Sequence, residues 1–276
     1  MKQPFEIIED FSEFKVESLV DVLDGKRPAY IVRNYLDDEE LLKIKNHFLE
    51  ILSRTNGGNR SKDFVPVFQV GATQFKKTTP EYIQECKLTK DNIQELLMAI
   101  DNDAIREDFL LEKTMPLDFN KQGIEFRPSQ FLNDFVNKFT IRQWKNANTE
   151  HLSLLPHEDL SQLNLAQRDD YEIGKVGRVI ASNLCVSNGI GGDLIIWNYE
   201  PDFELKVSLG VENSGYPYPL SLLREKEFVE LKINAGDLYF INANLIHAVK
   251  EVAGSERISA GRFMGKVSEN LMVYWT

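Results

Sequence analysis

The sequence predicts a mainly β fold with flanking helices: an antiparallel sandwich or barrel covered by helices from the N-terminal part. Two observations carry this. Before about residue 139, apolar residues recur mostly at helical spacing. After it, short runs rich in β-branched and aromatic residues alternate with Gly, Asn and Pro turns. No repeat, low-complexity tract or linker divides the 276 residues. The expected organisation is therefore one domain, 1–276, with a helix-rich elaboration over 1–139 and a β core over 140–276.

Ala29-Tyr30-Ile31-Val32 is apolar and β-branched and reads as a strand. Asp37 to Glu40 places four carboxylates at a helix start, where the positive end of the helix dipole favours them, and Asp37 with Glu40 resembles a capping box. Leu41, Ile44, Phe48 and Leu52 then continue at helical spacing. Residues 55–62, with Asn56-Gly57-Gly58-Asn59, read as a loop and residues 65–71 as a strand. Residues 79–105 are expected to be mainly helical on Ile93, Leu96, Leu97 and Ile100. Residues 128–139 are expected to form another helix on Phe131, Phe135 and Phe139. Strands are then expected over 140–144, 152–157, 178–186, 193–199, 203–209, 228–233, 237–241, 246–252, 257–264 and 272–275. Asn188 to Asp193, with three glycines, reads as a hairpin-type turn.

A net charge of −11 argues against nucleic acid or an anionic membrane as the main partner. No apolar run approaches the ~18 residues of a membrane span, and residues 1–10 lack a signal-peptide core. The two cysteines, Cys86 and Cys185, suggest neither a disulfide framework nor a zinc knuckle. A cytoplasmic protein with a small-molecule partner is the expectation, and its oligomeric state is left open.

The chemistry centres on Pro156-His157-Glu158-Asp159, in a chain with only four histidines. His157 and Asp159, two apart on an extended segment, point to one side. A distant His247 can complete a set of two imidazoles and one carboxylate, which suits non-haem Fe(II) because it leaves coordination positions open. The bland alternative is a turn histidine followed by a capping aspartate. Gly236-Asp237 before His247, and Arg257-Ile258-Ser259 after it, favour the metal. A hairpin would bring Arg257 beside the histidine strand, where a buried guanidinium needs an anion. Ser259, on the same face, can donate a further hydrogen bond.

His-x-Asp, a distant His, and Arg-x-Ser about ten residues later resemble the Fe(II)- and 2-oxoglutarate-dependent dioxygenases. The resemblance covers roughly residues 140–276 and implies a double-stranded β-helix, the jelly-roll core of cupin-like folds. It implies His157, Asp159 and His247 as iron ligands. Arg257, with Ser259, becomes the clamp on the distal carboxylate of 2-oxoglutarate. The implied activity uses Fe(II), 2-oxoglutarate and O2 to hydroxylate an unactivated C–H of a small molecule, natural product or amino-acid-like, releasing succinate and CO2. Thr140-Ile141-Arg142, Gly191-Gly192-Asp193-Leu194, Trp197-Asn198, Gly236-Asp237 and Tyr274-Trp275 resemble, more narrowly, the free-standing indole-alkaloid halogenases. Those replace the carboxylate ligand by glycine. Asp159 stands at that position here, which favours hydroxylation, or desaturation, over halogenation.

Arg142 and Asn183 are further candidates for cosubstrate or substrate contacts, weighed against a surface ion pair and a structural hydrogen bond. Arg262 has the opposite strand parity from Arg257, and His47 and His151 read as structural. Residues 161–177 and 211–225 are candidate lids, and residues 65–75 a candidate substrate contact. A zinc hydrolase would leave Arg257 and Ser259 without a role. A non-catalytic cupin-like binding protein is the remaining alternative.

Overall fold

The computed structural model describes residues 4–55, 67–144, 152–253 and 257–276. The N-terminal part comprises β1 (Ile8–Phe11), α1 (Val16–Leu23), β2 (Ala29–Arg33), α2 (Asp38–Thr55) and β3 (Val67–Val70). It continues through α3 (Thr79–Met98), α4 (Asp103–Glu107), α5 (Thr114–Lys121), β4 (Glu125–Pro128), β5 (Gln130–Phe131) and β6 (Asp134–Phe135). Then follow β7 (Thr140–Trp144), β8 (Leu152–His157), α6 (Asn164–Arg168), β9 (Ile180–Ser187), β10 (Ile190–Gly191) and β11 (Leu194–Trp197). The chain ends with α7 (Phe203–Ser208), β12 (Phe228–Leu231), β13 (Leu238–Asn242), β14 (His247–Lys250), β15 (Val252–Ala253), β16 (Ile258–Ser268) and β17 (Leu271–Trp275).

Two sheets face each other. The larger runs β1-β2-β13-β9-β16-β17-β4, with β7 also on β16 and β3 on β7. The smaller runs β12-β11-β14-β8. Most pairs are antiparallel, while β1–β2 and β4–β17 are parallel. This is the strand-rich jelly-roll architecture with flanking helices. The N-terminal part supplies β1 to β4 to the same large sheet as β9, β13 and β16.

Strand alternation sorts the core. Ile180, Leu184, Val186, Leu238 and Phe240 face the helices, with Ile44, Phe48, Ile93 and Leu96 packed on them. Ala181, Cys185, Tyr239 and Ile241 face the opposite way, toward Leu194, Ile196 and Val249 of the small sheet. Among the described residues, no helix is long and apolar enough to cross a membrane. Burial pushes the thiols of Cys86 and Cys185 up to about 11, which leaves them unreactive near neutrality.

Several local expectations are corrected. Residues 128–139 are strand ends and the β5–β6 hairpin, not a helix. Pro128 and the left-handed Leu132 (φ 56°) interrupt any helix, and Phe135 is exposed rather than part of a buried stripe. Residues 203–209 hold helix α7, not a strand. Asp202 accepts a hydrogen bond from the Leu205 N–H (2.8 Å) and starts the helix, while Phe203 and Val207 point outward one turn apart. The expected helix over 79–105 breaks after Met98, and Asn102 caps the short α4. The turn at 188–193 is not a simple hairpin. It carries the chain from β9 in the large sheet to β11 in the small one, pairing β10 with β15 on the way. The loop expected over 55–62 lies mostly outside the described residues.

Asp237, from the Gly-Asp pair before β13, anchors the fold. It is buried, pairs with Arg33 (2.6 Å) and accepts from the Asn34 (3.2 Å) and Asn234 (2.8 Å) N–H groups. Asp237→Ala should cost about 1–3 kcal/mol of stability in chemical denaturation, because it strands two N–H donors and leaves Arg33 with Glu9 and the Lys232 carbonyl alone. 2-Oxoglutarate affinity of the folded fraction should stay within about twofold.

Candidate active site

His157 ends β8 and His247 begins β14, and the strand register pairs them directly. Their ring centroids are 4.0 Å apart. Asp159 follows β8, and its N–H donates to the Ala243 carbonyl (2.8 Å), which turns the chain back toward His247. One potential ligand atom from each of the three lies within 4.8 Å of the others.

The protonation pattern suits a cation. Nδ1 of His157 lies 2.9 Å from the Leu155 carbonyl, and Nδ1 of His247 lies 2.9 Å from the Leu245 carbonyl. A carbonyl only accepts, so each Nδ1 carries the hydrogen, and Nε2 is the atom each ring can offer a metal. His247 Nε2 stands 3.4 Å from Asp159 Oδ2. Two acceptors facing each other at that distance require a proton or a metal between them. Metal–ligand bonds of about 2.1 Å place neighbouring ligand atoms roughly 3 Å apart, so the triad fits one ion. In the metal-free protein burial opposes ionisation of Asp159, but a hydrogen bond from a protonated His247 and the positive charges of the histidines and Arg142 outweigh it and hold its carboxyl below the usual range; a bound cation would take over that role. Gln162 Nε2 donates to Asp159 Oδ1 (2.8 Å), which leaves Oδ2 as the free oxygen.

One cavity between the sheets holds the triad. It also receives Arg257 and Ser259, but not by a hairpin from β14. Arg257 immediately precedes β16 of the large sheet and lines the same cavity as His247 of the small sheet. Arg257 is 4% exposed. Its guanidinium donates to the Gly192 carbonyl and contacts Tyr239, its Nε has no partner, and no carboxylate among the described residues pairs with it. A buried cation left this way is costly unless an anion arrives. Ser259 Oγ accepts from the Trp144 indole N–H (3.1 Å), so its own proton is available for a ligand. The residues therefore fit a dicarboxylate reaching from the metal to Arg257.

Arg142 lines the cavity from β7, opposite Ser259 in the register. Asn183 lines it from β9, in room left by Gly261, where a Cβ would strike its amide. Arg262 turns its guanidinium to the far face, bonding Glu112 and the Leu110 carbonyl, as its parity requires. His47 pairs with Glu95 (3.3 Å) far from the cavity, and His151 lies outside the described residues. From the candidate loops, Thr73, Phe75, Gln162, Ser214 and Tyr216 reach the cavity.

Sequence reasoning missed Gln162, Tyr239 and Gly192. Gly192 (φ 79°) abuts Arg257: a Cβ there would lie 2.6 Å from its terminal nitrogen. Gly192→Ala should raise the KM for 2-oxoglutarate about tenfold while kcat changes little, measured by succinate release.

A jelly roll that points two histidines, an aspartate and an unpaired buried arginine into one cavity defines a non-haem metal oxygenase that takes a dicarboxylate cosubstrate. The chain is 38% identical over 249 residues to the L-isoleucine 3(1)-dioxygenase of Pantoea ananatis, spanning 90% of this chain and 83% of that protein. It belongs to the Fe(II)- and 2-oxoglutarate-dependent dioxygenases. In fold it resembles an N-substituted L-amino acid dioxygenase from Burkholderia ambifaria. The α-ketoglutarate complex of that protein superposes with a TM-score of 0.57 at 11% identity, over 95% of this chain and 91% of that one. A second structure of it gives 0.51 at 13% identity, over 94% and 91%. No family model matches the chain.

Proposed function

We propose that the enzyme hydroxylates an unactivated C–H bond of an aliphatic amino acid or a close analogue, with succinate and CO2 as co-products. In this reading His157, Asp159 and His247 hold Fe(II), and Arg257 with Ser259 holds the distal carboxylate of 2-oxoglutarate. The carrying observation is the buried Arg257 without a carboxylate partner among the described residues, facing the same cavity as the triad.

Iron with bound 2-oxoglutarate supplies the oxidant; the chain supplies position and dryness. Both Nδ1–H groups lock the rings with Nε2 inward. Gln162 holds Asp159 so that one oxygen faces the ion. The Arg257 fork fixes the cosubstrate's far end, with Leu194 and Val249 as nearby apolar walls. Six residues further along β16, Phe263 pairs in register with Ala181, and Ala181 with Ile241. These side chains make an apolar end of the cavity, away from the arginine clamp, suited to an aliphatic chain. Arg142 and Asn183 lie between the two ends and are placed to meet carboxylate or amino groups.

The substrate class rests on that apolar end and on the relative's name, which specifies L-isoleucine. The test is a panel of aliphatic, aromatic and N-substituted amino acids, reading succinate release and product mass. Aliphatic members should stimulate succinate release and gain one oxygen atom. Products that lose two hydrogens would mean desaturation. No stimulation by any aliphatic member would overturn the substrate class.

A further inference from the structure

Glu158 lies between two of the proposed iron ligands, yet its side chain points away from the cavity and is completely buried. A carboxylate in that position is costly unless fully partnered. Its partners come from three separate segments. Oε2 accepts from the N–H groups of Leu160 (2.7 Å) and Ser161 (3.1 Å), and Oε1 accepts from the Ser161 hydroxyl. Oε1 also pairs with Lys206 of α7 (3.1 Å) and meets the Tyr218 hydroxyl (3.4 Å).

The main chain adds to the junction. The Glu158 N–H donates to the Gly215 carbonyl (3.0 Å), and the Tyr218 N–H donates to the Pro156 carbonyl (2.8 Å). Gly215 is in the left-handed region (φ 63°), and any Cβ there would collide with the Glu158 carbonyl. The segment so held, residues 211–218, presents Ser214 and Tyr216 to the cavity, with the Tyr216 ring 6.1 Å from that of His157.

We propose that Glu158 is a positioning residue. Its ion pair with Lys206 and its contact with Tyr218 fix the 211–218 segment as a cavity wall against the His157 strand, and so couple 2-oxoglutarate consumption to substrate oxidation. The ion pair ties α7 to the residue between two of the proposed ligands, the Val211 N–H donates to the Lys206 carbonyl (2.9 Å), and Tyr218 ties the segment that follows to the same carboxylate. The geometry joins the cavity wall to the ligand strand directly. The inference rests on the function proposed above and concerns how well the reaction stays coupled.

The test uses Glu158→Gln, Lys206→Met, their double variant and Tyr218→Phe in the iron-loaded enzyme, with L-isoleucine as the probe substrate. The charged-pair variants should raise the amino-acid KM about tenfold and at least halve the ratio of oxidised product to succinate. The 2-oxoglutarate KM and the anaerobic Fe(II)–2-oxoglutarate absorption band should stay within about twofold. The double variant, which buries no lone charge, should recover thermal stability while remaining uncoupled. Tyr218→Phe, which leaves the ion pair intact, should show the same split at smaller size and serves if the others do not fold. Lowered stability with an unchanged product-to-succinate ratio in any folded variant of this set overturns the proposal. Absence of the absorption band in the wild-type protein would instead defeat the reading of the site; if L-isoleucine does not react with wild type, the same ratios are read with the aliphatic amino acid that does.

Discussion

Asp159→Ala and Asp159→Asn should both abolish the visible band formed anaerobically by Fe(II) and 2-oxoglutarate, and should lower product formation at least about a thousandfold, since a metal's contribution is worth several kcal/mol. The two variants should differ in stability, and that difference identifies the cause. In the wild type Gln162 donates to Asp159 Oδ1, while Oδ2 stands 3.4 Å from His247 Nε2. Asparagine can keep its oxygen on Gln162 and turn its NH2 toward His247 Nε2, which keeps a hydrogen bond across the gap but removes the carboxylate charge. The metal-free Asn variant gives up the carboxylate charge that His247 and Arg142 favour, so it should melt below the metal-free wild type but above the Ala variant. Alanine leaves the Gln162 amide and a small cavity without partners and should cost about 1–3 kcal/mol. An Asn variant that keeps the absorption band would remove Asp159 from the ligand set.

His157, Asp159 and His247 were legible because their pattern is local. Histidine is scarce in this chain, the His-x-Asp spacing places two side chains together on any extended segment, and the distant His247 is brought back by the pairing of β14 with β8. Arg257 was legible as a residue but not as a location. The sequence shows a turn followed by a strand, whereas the chain crosses to the other sheet between β15 and β16, which local spacing does not encode. The alternation of β9 and β13, helices on one side and cavity on the other, follows from strand period alone.

Other features depend on partners remote in sequence. The environment of Glu158 is set by Lys206 and Tyr218, nearly fifty and sixty residues away, and its position between two ligands suggested nothing about them. Gln162 acquires its role from a short 3-10 turn that aims it back at Asp159. The misread helix over 128–139 shows the opposite failure. Phe131, Phe135 and Phe139 have helical spacing, but Phe139 joins the core under the large sheet while Phe135 lies in a solvent-facing hairpin. Periodicity identifies a helix only when the periodic residues share one buried face.

Arg257→Met should raise the KM for 2-oxoglutarate by roughly 30- to 1000-fold, about 2–4 kcal/mol, because it removes the charged partner of a buried carboxylate. Arg257→Lys should fall between wild type and Met, keeping the charge but losing the fork that matches two carboxylate oxygens. The effect on the ligand-free protein should have the opposite sign. There the guanidinium is buried, its Nε has no partner, and no carboxylate among the described residues neutralises it, so it destabilises the apo fold. A methionine of similar length removes that penalty, and replacing buried charge by apolar side chains often stabilises by about 1–4 kcal/mol. Arg257→Met should thus raise the apo melting temperature by a few degrees. It should also lose most of the stabilisation that 2-oxoglutarate gives the wild type through mass action. A structural arginine would behave differently, because its removal would lower apo stability and leave the cosubstrate KM unchanged. Calorimetry with and without 2-oxoglutarate, together with the KM series, separates the two. In the proposed reading, the buried cation held without an anion in the apo fold is a destabilising feature that cosubstrate binding would relieve, which gives a physical reason for an arginine without a carboxylate partner at this position.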